Sequence, residues 1–271
     1  MPHPLRLVSA LVVAVGLVAV AGCSSSAPQV SDPTTSSTTP AETPTATPTT
    51  PEPTQTSEPS AEPAEPAGFD KTEKSIDDPA SAWVIVNKLR PLDPQDYAAS
   101  DLVSVPVAYA NPPILRKYAS SAVVKMFEAF TDETGLEMQS QSAYRAYSVQ
   151  VRVYNGWVND LGQKGADLTS ARPGYSEHQT GLAIDISAKP ADCTLKACFG
   201  DTKQGKWLAK NAWEYGFVLR YPEDKTDVTG YEYEPWHYRY VGKDLAKEMH
   251  DTKTETLEEF FDLPAAPDYK N

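Results

Sequence analysis

The sequence predicts a folded domain of mixed helices and strands that follows an export signal and a long spacer. A helical repeat of apolar residues ends before Gly135, and an alternating apolar segment at 182–186 is typical of a strand. Near the N-terminus, an apolar segment is followed by a stretch rich in proline, threonine and serine. The first two features set the fold class, and the third separates the domain from the start of the chain.

The clearest helix precedes Gly135, which stands where a C-terminal cap is expected. Its apolar positions recur every three or four residues, at Leu115, Tyr118, Ala119, Ala122, Val123, Met126, Phe127 and Phe130. The same periodicity predicts further helices at 148–161, 204–215, 243–250 and 255–261.

The strand at 182–186 carries one acidic residue among apolar ones. Alternation places Leu182, Ile184 and Ile186 on one face and Asp185 on the other. A carboxylate buried alone in so apolar a strand would be costly. Asp185 is therefore expected to be paired, hydrogen-bonded or bound to a cation. A second strand is predicted at 238–241.

The N-terminus carries the features of an export signal. Arg6 precedes an apolar segment at 7–21 that is too short to span a membrane comfortably. This segment ends in small residues before Cys23, an arrangement that resembles a bacterial lipobox. We read 1–22 as a lipoprotein signal peptide and Cys23 as the lipid-modified first residue. The alternative is an ordinary signal peptide that ends near a cysteine.

The segment after Cys23 is dominated by proline, threonine, serine, alanine and glutamate. It lacks the large apolar residues whose burial offsets the entropy of ordering a chain. We predict a disordered, extended tether at 23–70 and a domain at 71–271, whose ordered core covers about 81–264. Such a tether suits a domain held away from a membrane, although a linker without a spacing role would have the same composition.

The two cysteines of the domain, Cys193 and Cys198, are an even pair in an exported chain. Such pairs are expected to oxidise, and we predict a disulfide between them. The alternative is that both bind a metal, but no second cysteine pair or histidine lies nearby in sequence.

The charge of the chain excludes one class of partner. There are 37 acidic and 24 basic residues, which give a net charge of −13 at pH 7. No lysine and arginine cluster interrupts this charge, whereas binding to phosphate backbones requires one. Nucleic acid is not an expected partner.

Two short segments concentrate residues that bind metals. His178 lies seven positions before Asp185, and Gly181 between them lets the chain turn into the strand. Glu234 and His237 form the second group. Because they are offset in an extended segment, we expect one of them to bind an ion and the other to lie behind the bound water. Two imidazoles, one carboxylate and an open fourth position are the ligand set of catalytic zinc.

Residues 176–185 (SEHQTGLAID) and 230–242 (GYEYEPWHYRYVG) resemble the two signatures of the VanY-type D-alanyl-D-alanine carboxypeptidases. That family includes the L,D-carboxypeptidases of the LdcB kind. A third match is residues 142–145 (SAYR) together with Gln150. The resemblance covers about 83–263, and it implies an α+β fold. In that fold a small, mainly antiparallel sheet carries the zinc site and helices flank it.

The resemblance also assigns roles to the metal-binding segments. It implies one zinc ion on His178, Asp185 and His237, with Glu234 as the general base. It implies that Arg145 faces the scissile carbonyl oxygen or its oxyanion. The alternative for Arg145 is a structural salt bridge.

Three further residues are expected on the substrate side of the site, namely Gln150, Ser176 and Trp236. Ser176 precedes His178 in a loop, from which its hydroxyl could reach the terminal carboxylate of a peptide. Gln150 and Ser176 could instead hold the loop, and Trp236 could pack in the core. His250, in a charged helical segment, is expected at the surface.

The resemblance implies a zinc carboxypeptidase that removes C-terminal D-alanine from peptidoglycan stem peptides. An extracytoplasmic monomer, held on the cell membrane by its lipid anchor, fits this activity. Alternatives are an L,D-carboxypeptidase acting on tetrapeptide stems and a non-catalytic, zinc-containing wall-binding module. A D-Ala-D-Ala dipeptidase is disfavoured because its substrate is normally soluble and cytoplasmic.

Overall fold

The computed structural model describes residues 68–270 of the 271-residue chain. The predicted signal peptide, Cys23 and the tether up to residue 67 lie outside the described residues. Within 68–270, no helix combines the length and the apolar character that crossing a membrane requires.

Four antiparallel strands form the central sheet, in the order β3-β4-β6-β5, and β1 pairs with β2 in a separate ribbon. The strands are β1 (Leu102–Ser104), β2 (Ile114–Arg116), β3 (Glu137–Ser142), β4 (Ala183–Lys189), β5 (Phe217–Leu219) and β6 (His237–Tyr240). The helices are α1 (Lys117–Thr134), α2 (Tyr147–Thr169), α3 (Lys203–Asn211), α4 (Thr226–Thr229), α5 (Lys243–Thr252) and α6 (Leu257–Phe260). This is the α+β arrangement that the sequence predicted.

The helix that the apolar periodicity predicted before Gly135 is present as α1. Gly135 follows it in the left-handed conformation, with φ of 68°, and its N–H donates to the carbonyl oxygen of Thr131. The helix begins later than the repeat suggested because 114–116 pair with β1 instead. The apolar stripe of α1 and the apolar face of β4 belong to the same main core.

Helix α2 is longer than predicted because it continues past an interruption. Gly162, with φ of 69° and ψ of 168°, is non-helical, and helical geometry then resumes up to Thr169. The predicted helix at 204–215 is α3 followed by a 3-10 turn up to Tyr215. Helix α6 is shorter than predicted because the Thr256 hydroxyl caps it by accepting from the Glu259 N–H. His250 is exposed on α5, as predicted.

Strand β4 has the two faces that alternation predicted. Leu182, Ile184 and Ile186 are fully buried in the main core, and Asp185 points to the opposite face. The loop after β4 contains the predicted disulfide between Cys193 and Cys198, which is present.

The packed residues extend beyond the predicted core of 81–264 at both ends. Phe69 stacks on Trp83 with ring centroids 5.5 Å apart, and near the C-terminus Ala266 and Tyr269 are buried. Trp83 belongs to a second apolar cluster that includes residues of α5 and α6. Phe69 thereby docks the N-terminal segment on Phe260 of α6, whereas the C-terminal segment contacts α4, where the Ala266 N–H donates to the carbonyl oxygen of Val228.

Gly181 sets the angle at which the chain enters β4. It has φ of 71°, and a Cβ built on it would lie 2.7 Å from Leu102 Cδ2 and 3.1 Å from Arg116 Cγ. Gly156 differs because it is within α2 and a Cβ there meets nothing within 4 Å.

We predict that Gly181→Ala lowers the free energy of unfolding by about 2 kcal/mol, through left-handed strain and the close contact. Gly156→Ala is the matched control and should raise it by roughly 0.5–1 kcal/mol, because alanine favours the helix. Urea unfolding followed by circular dichroism measures both. Equal stability of the two variants would contradict the constraint at Gly181.

Candidate metal centre and active site

The three predicted ligands converge on one point at the sheet. Asp185 and His237 are directly opposite each other in the β4–β6 ladder. His178 comes from the 3-10 turn Glu177–Thr180, which ends at Gly181 immediately before β4. One donor atom from each residue lies within 4.8 Å of the other two, and all three side chains are buried.

Each imidazole is oriented by a hydrogen bond at the nitrogen that faces away from the site. Nδ1 of His178 lies 2.7 Å from the carbonyl oxygen of Ala143, so Nε2 faces Asp185 Oδ2 at 3.3 Å. Nε2 of His237 lies 3.3 Å from Glu177 Oε2, so Nδ1 faces Asp185 Oδ1 at 3.1 Å. The two histidines therefore present different nitrogens to the same point.

The donor set fits a zinc ion. Asp185 Oδ1 is buried and has no hydrogen bond of acceptable geometry to the described residues, although His237 Nδ1 is near. A buried carboxylate oxygen without a partner is expected to bind a cation. Tetrahedral zinc with nitrogen and oxygen ligands needs donor separations of about 3.3 Å. The two carboxylate oxygens of Asp185 lie at similar distances from the histidines, Oδ2 at 3.3 Å from His178 Nε2 and Oδ1 at 3.1 Å from His237 Nδ1.

The charges around the site also favour a cation. Burial lowers the pKa of His237, but the carboxylates of Asp185 and Glu177 outweigh burial and raise the pKa to about 9. This imidazole lies between two anions, an environment that favours additional positive charge. Burial lowers the pKa of His178, which keeps that imidazole in the neutral form that binds metals.

Glu234 lies beside the donor set and is not part of it. Its Oε2 is 3.7 Å from His237 Nδ1, and its backbone N–H donates to the carbonyl oxygen of Tyr221. Burial raises the pKa of Glu234 to about 8. The sequence left open which of Glu234 and His237 binds the ion, and the geometry favours His237. A buried carboxylate with a raised pKa is suited to accept a proton.

Arg145 is held by neutral partners. Its Nη1 donates to Gln150 Oε1 at 2.8 Å and its Nη2 to Ser142 Oγ at 3.2 Å. Within residues 68–270 it makes no ion pair within 4.0 Å, so the salt-bridge alternative gains no support. A bulge in β3 shifts the register so that Ser142 pairs with Asp185, which brings the following loop to the site. Its charge remains available to a ligand.

The other residues expected on the substrate side differ in exposure. Gln150 is fully buried and also donates to the carbonyl oxygen of Ala171 at 2.6 Å, so here it holds Arg145 in place. Ser176 is buried immediately before the turn that carries His178. Trp236 is half-buried and packs against the main core. Direct contact of these three with a substrate stays a prediction.

Known families and relatives match this chain over most of the domain. The family model of VanY, described as D-alanyl-D-alanine carboxypeptidase, matches residues 113–243. YodJ of Bacillus subtilis strain 168, which is named as a carboxypeptidase, is 43% identical over 194 residues, 70% of each chain. The chain belongs to the VanY family of carboxypeptidases.

Solved structures extend the similarity of this VanY family member to fold and metal. The LD-carboxypeptidase LdcB is 43% identical with a TM-score of 0.63, and the match covers 68% of this chain and 87% of that one. A VanY D,D-pentapeptidase from a VanB-type resistance cassette, solved with Zn(II), is 29% identical with a TM-score of 0.54. That match covers 65% of this chain and 97% of the other. The predicted fold class, enzyme class and zinc cofactor are confirmed.

The sequence did not reveal the buried charges behind the metal site of this VanY family member. They are Glu177, Arg220, Arg239 and Glu258, whose side chains are at most 1% exposed. Alternation along β6 could have placed Arg239 on the same face as His237. Nothing local in the sequence pairs Arg220 with Glu258, because 38 positions separate them.

We predict that Arg145→Lys lowers kcat by about 10²-fold, because an ammonium cannot keep both hydrogen bonds that aim the guanidinium. Arg152→Lys is the control, since Arg152 is exposed on α2 and bonds only to the carbonyl oxygen of Ser148 in its own helix. Release of the terminal amino acid from a peptide substrate measures the rate. Full activity of Arg145→Lys would show that the two hydrogen bonds that orient the guanidinium are not needed.

Proposed function

We propose that this chain removes C-terminal D-alanine from peptidoglycan stem peptides as a zinc-dependent D,D-carboxypeptidase. The observation that carries the proposal is the buried donor set of His178, Asp185 and His237 with Glu234 beside it. The VanY family model bears the same activity in its description.

The metal and the base have complementary tasks. A zinc ion held by the three donors would supply a Lewis acid and would lower the pKa of a water molecule to about 7. Glu234 accepts a proton from the water that attacks the carbonyl carbon and delivers it to the amine nitrogen of D-alanine as the C–N bond breaks. The same carboxyl acts first as base and then as acid.

Arg145 supplies fixed positive charge at the reacting carbonyl. Gln150 and Ser142 hold the guanidinium before any substrate arrives, so little reorganisation is needed as negative charge develops on the carbonyl oxygen. Burial lowers the pKa of Arg145, but an arginine stays charged at neutral pH. Its attraction for the oxyanion exceeds that for the neutral carbonyl, which is the condition for catalysis.

A second candidate activity is L,D-carboxypeptidase action on tetrapeptide stems. It is favoured by LdcB, which is more similar to this chain, at 43% identity, than the zinc-containing D,D-pentapeptidase, at 29%. A non-catalytic wall-binding module is the less favoured reading, because Glu234 is buried beside the donor set and no residue within 68–270 forms an ion pair with Arg145.

The proposed location is the outer side of the cytoplasmic membrane. The apolar segment at 7–21, the small residues before Cys23 and the proline-rich tether support a lipoprotein that reaches its substrate in the wall. The Cys193–Cys198 disulfide agrees with an oxidising compartment. We expect the enzyme to act as a monomer.

We predict that Glu234→Gln lowers kcat by about 10²–10⁴-fold while zinc stays bound at one ion per chain, because a proton acceptor is lost and the ligands remain. Zinc content by atomic absorption and amino acid release are measured on the same sample. Glu232→Gln, at an exposed position two residues earlier, is the control and should match the unchanged protein. Retained activity in Glu234→Gln would remove Glu234 from the mechanism.

A muropeptide assay separates the two candidate activities. Defined tri-, tetra- and pentapeptide muropeptides are incubated with the protein, with and without a chelator, and the products are identified by mass. The D,D-carboxypeptidase proposal requires conversion of pentapeptide to tetrapeptide, abolished by the chelator and restored by zinc. Conversion of tetrapeptide to tripeptide alone would establish the L,D activity instead.

A further inference from the structure

The buried carboxylate of Glu177 faces the metal site on one side and two arginines on the other. Its Oε1 accepts from Arg220 Nε at 2.8 Å and from Arg239 Nη1 at 3.0 Å, while Oε2 faces His237 Nε2 at 3.3 Å. Arg239 is also anchored by the backbone, since its Nη2 donates to the carbonyl oxygen of Val84 at 2.7 Å. The two arginines thus hold the Glu177 carboxylate on the side that faces away from the metal site.

Arg220 also forms an ion pair on the side that faces away from the metal site. Its Nη1 and Nη2 donate to the two carboxylate oxygens of Glu258 at 2.9 and 2.7 Å, a bidentate pair. Glu258 also accepts from Asn87 Nδ2 at 2.9 Å. Glu258 lies on α6, and both it and Asn87 lie outside the 113–243 segment that the VanY model matches.

The charges of this cluster balance, with two carboxylates and two guanidiniums. Oε1 of Glu177 accepts from both guanidiniums and Oε2 faces His237 Nε2, which is the arrangement expected of an ionised carboxylate. A carboxylate without a proton can only accept hydrogen bonds. His237 must therefore donate through Nε2, so Nδ1 is the nitrogen that faces Asp185.

We propose that Glu258 is a positioning residue for the metal site, which acts on His237 through Arg220 and Glu177. Glu258 fixes the guanidinium of Arg220, and Arg220 fixes the carboxylate that selects the tautomer and ring orientation of His237. Groups that orient a metal ligand in this way contribute about 10–100-fold to metal affinity. The docking of α6 on the domain is thereby part of the metal site.

Zinc affinity, measured by competition with a chromogenic chelator on the full-length chain in detergent, tests this proposal without using activity. Glu258→Gln should raise the zinc Kd about 10-fold, because the amide cannot hold Arg220 in a bidentate ion pair. The visible spectrum of the cobalt(II)-substituted protein should also shift, since the orientation of a nitrogen ligand changes.

The matched control is Phe260→Ala, which weakens the docking of the same helix but removes none of the hydrogen bonds that link Glu258, Arg220 and Glu177. It should lower the melting temperature and leave the zinc Kd within about twofold. If Glu258→Gln does not fold, Arg220→Met/Glu258→Met replaces the ion pair by apolar side chains that keep the balance of charge. This double variant should fold and still bind zinc about 10-fold more weakly.

The proposal rests on the proposed zinc site, but the experiments distinguish a failure of the proposal from a failure of the site. An unchanged protein that binds no zinc would refute the proposed function as well as this role. If the unsubstituted protein binds zinc, and Glu258→Gln and Arg220→Met/Glu258→Met bind it with the same Kd, only the role of Glu258 is overturned. An equal loss of affinity in Phe260→Ala would also overturn it, because general loosening of α6 would then explain the effect.

Discussion

The burial of Glu177 is the constraint on which the rest of the site depends. A carboxylate with no solvent exposure is tolerated only where charge and hydrogen bonds compensate for its desolvation, and here Arg220 and Arg239 do so. Those arginines in turn need Glu258 and backbone carbonyl oxygens from residues 82–84. The metal ligands are therefore supported by a buried polar network that connects segments near both ends of the domain. Apolar side chains would fill the same space without needing matched charges.

Much of the fold and most of the site could be predicted from the sequence, because the signals were local. The period of α1, the left-handed Gly135 and the alternation in β4 each follow from a few adjacent side chains. The same is true of His178 and Asp185, which a short turn and a strand bring together. The family resemblance then added the substrate class and the division of roles between Glu234 and His237.

The parts that sequence reasoning missed depend on contacts between distant segments. Residues 83–86 are all apolar, and nothing in that segment indicates that the carbonyl oxygen of Val84 accepts from Arg239, 155 positions away. The last third of α2, after residue 161, was missed because Gly162 interrupts the helix without ending it. The bidentate pair of Arg220 and Glu258 joins the residue that follows β5 to α6, and the periodicity of the sequence does not indicate such a pairing.

The ladder between β4 and β6 places Asp185 directly opposite His237. The spacing of these two ligands is thus set by backbone hydrogen bonds, which every amino acid except proline can form. Substitutions in the core on the other face of the sheet can accumulate while this spacing is retained. Two metal ligands at paired positions of adjacent strands can therefore keep their spacing during evolution while most of the surrounding sequence changes. The third ligand is supplied by a turn outside the sheet.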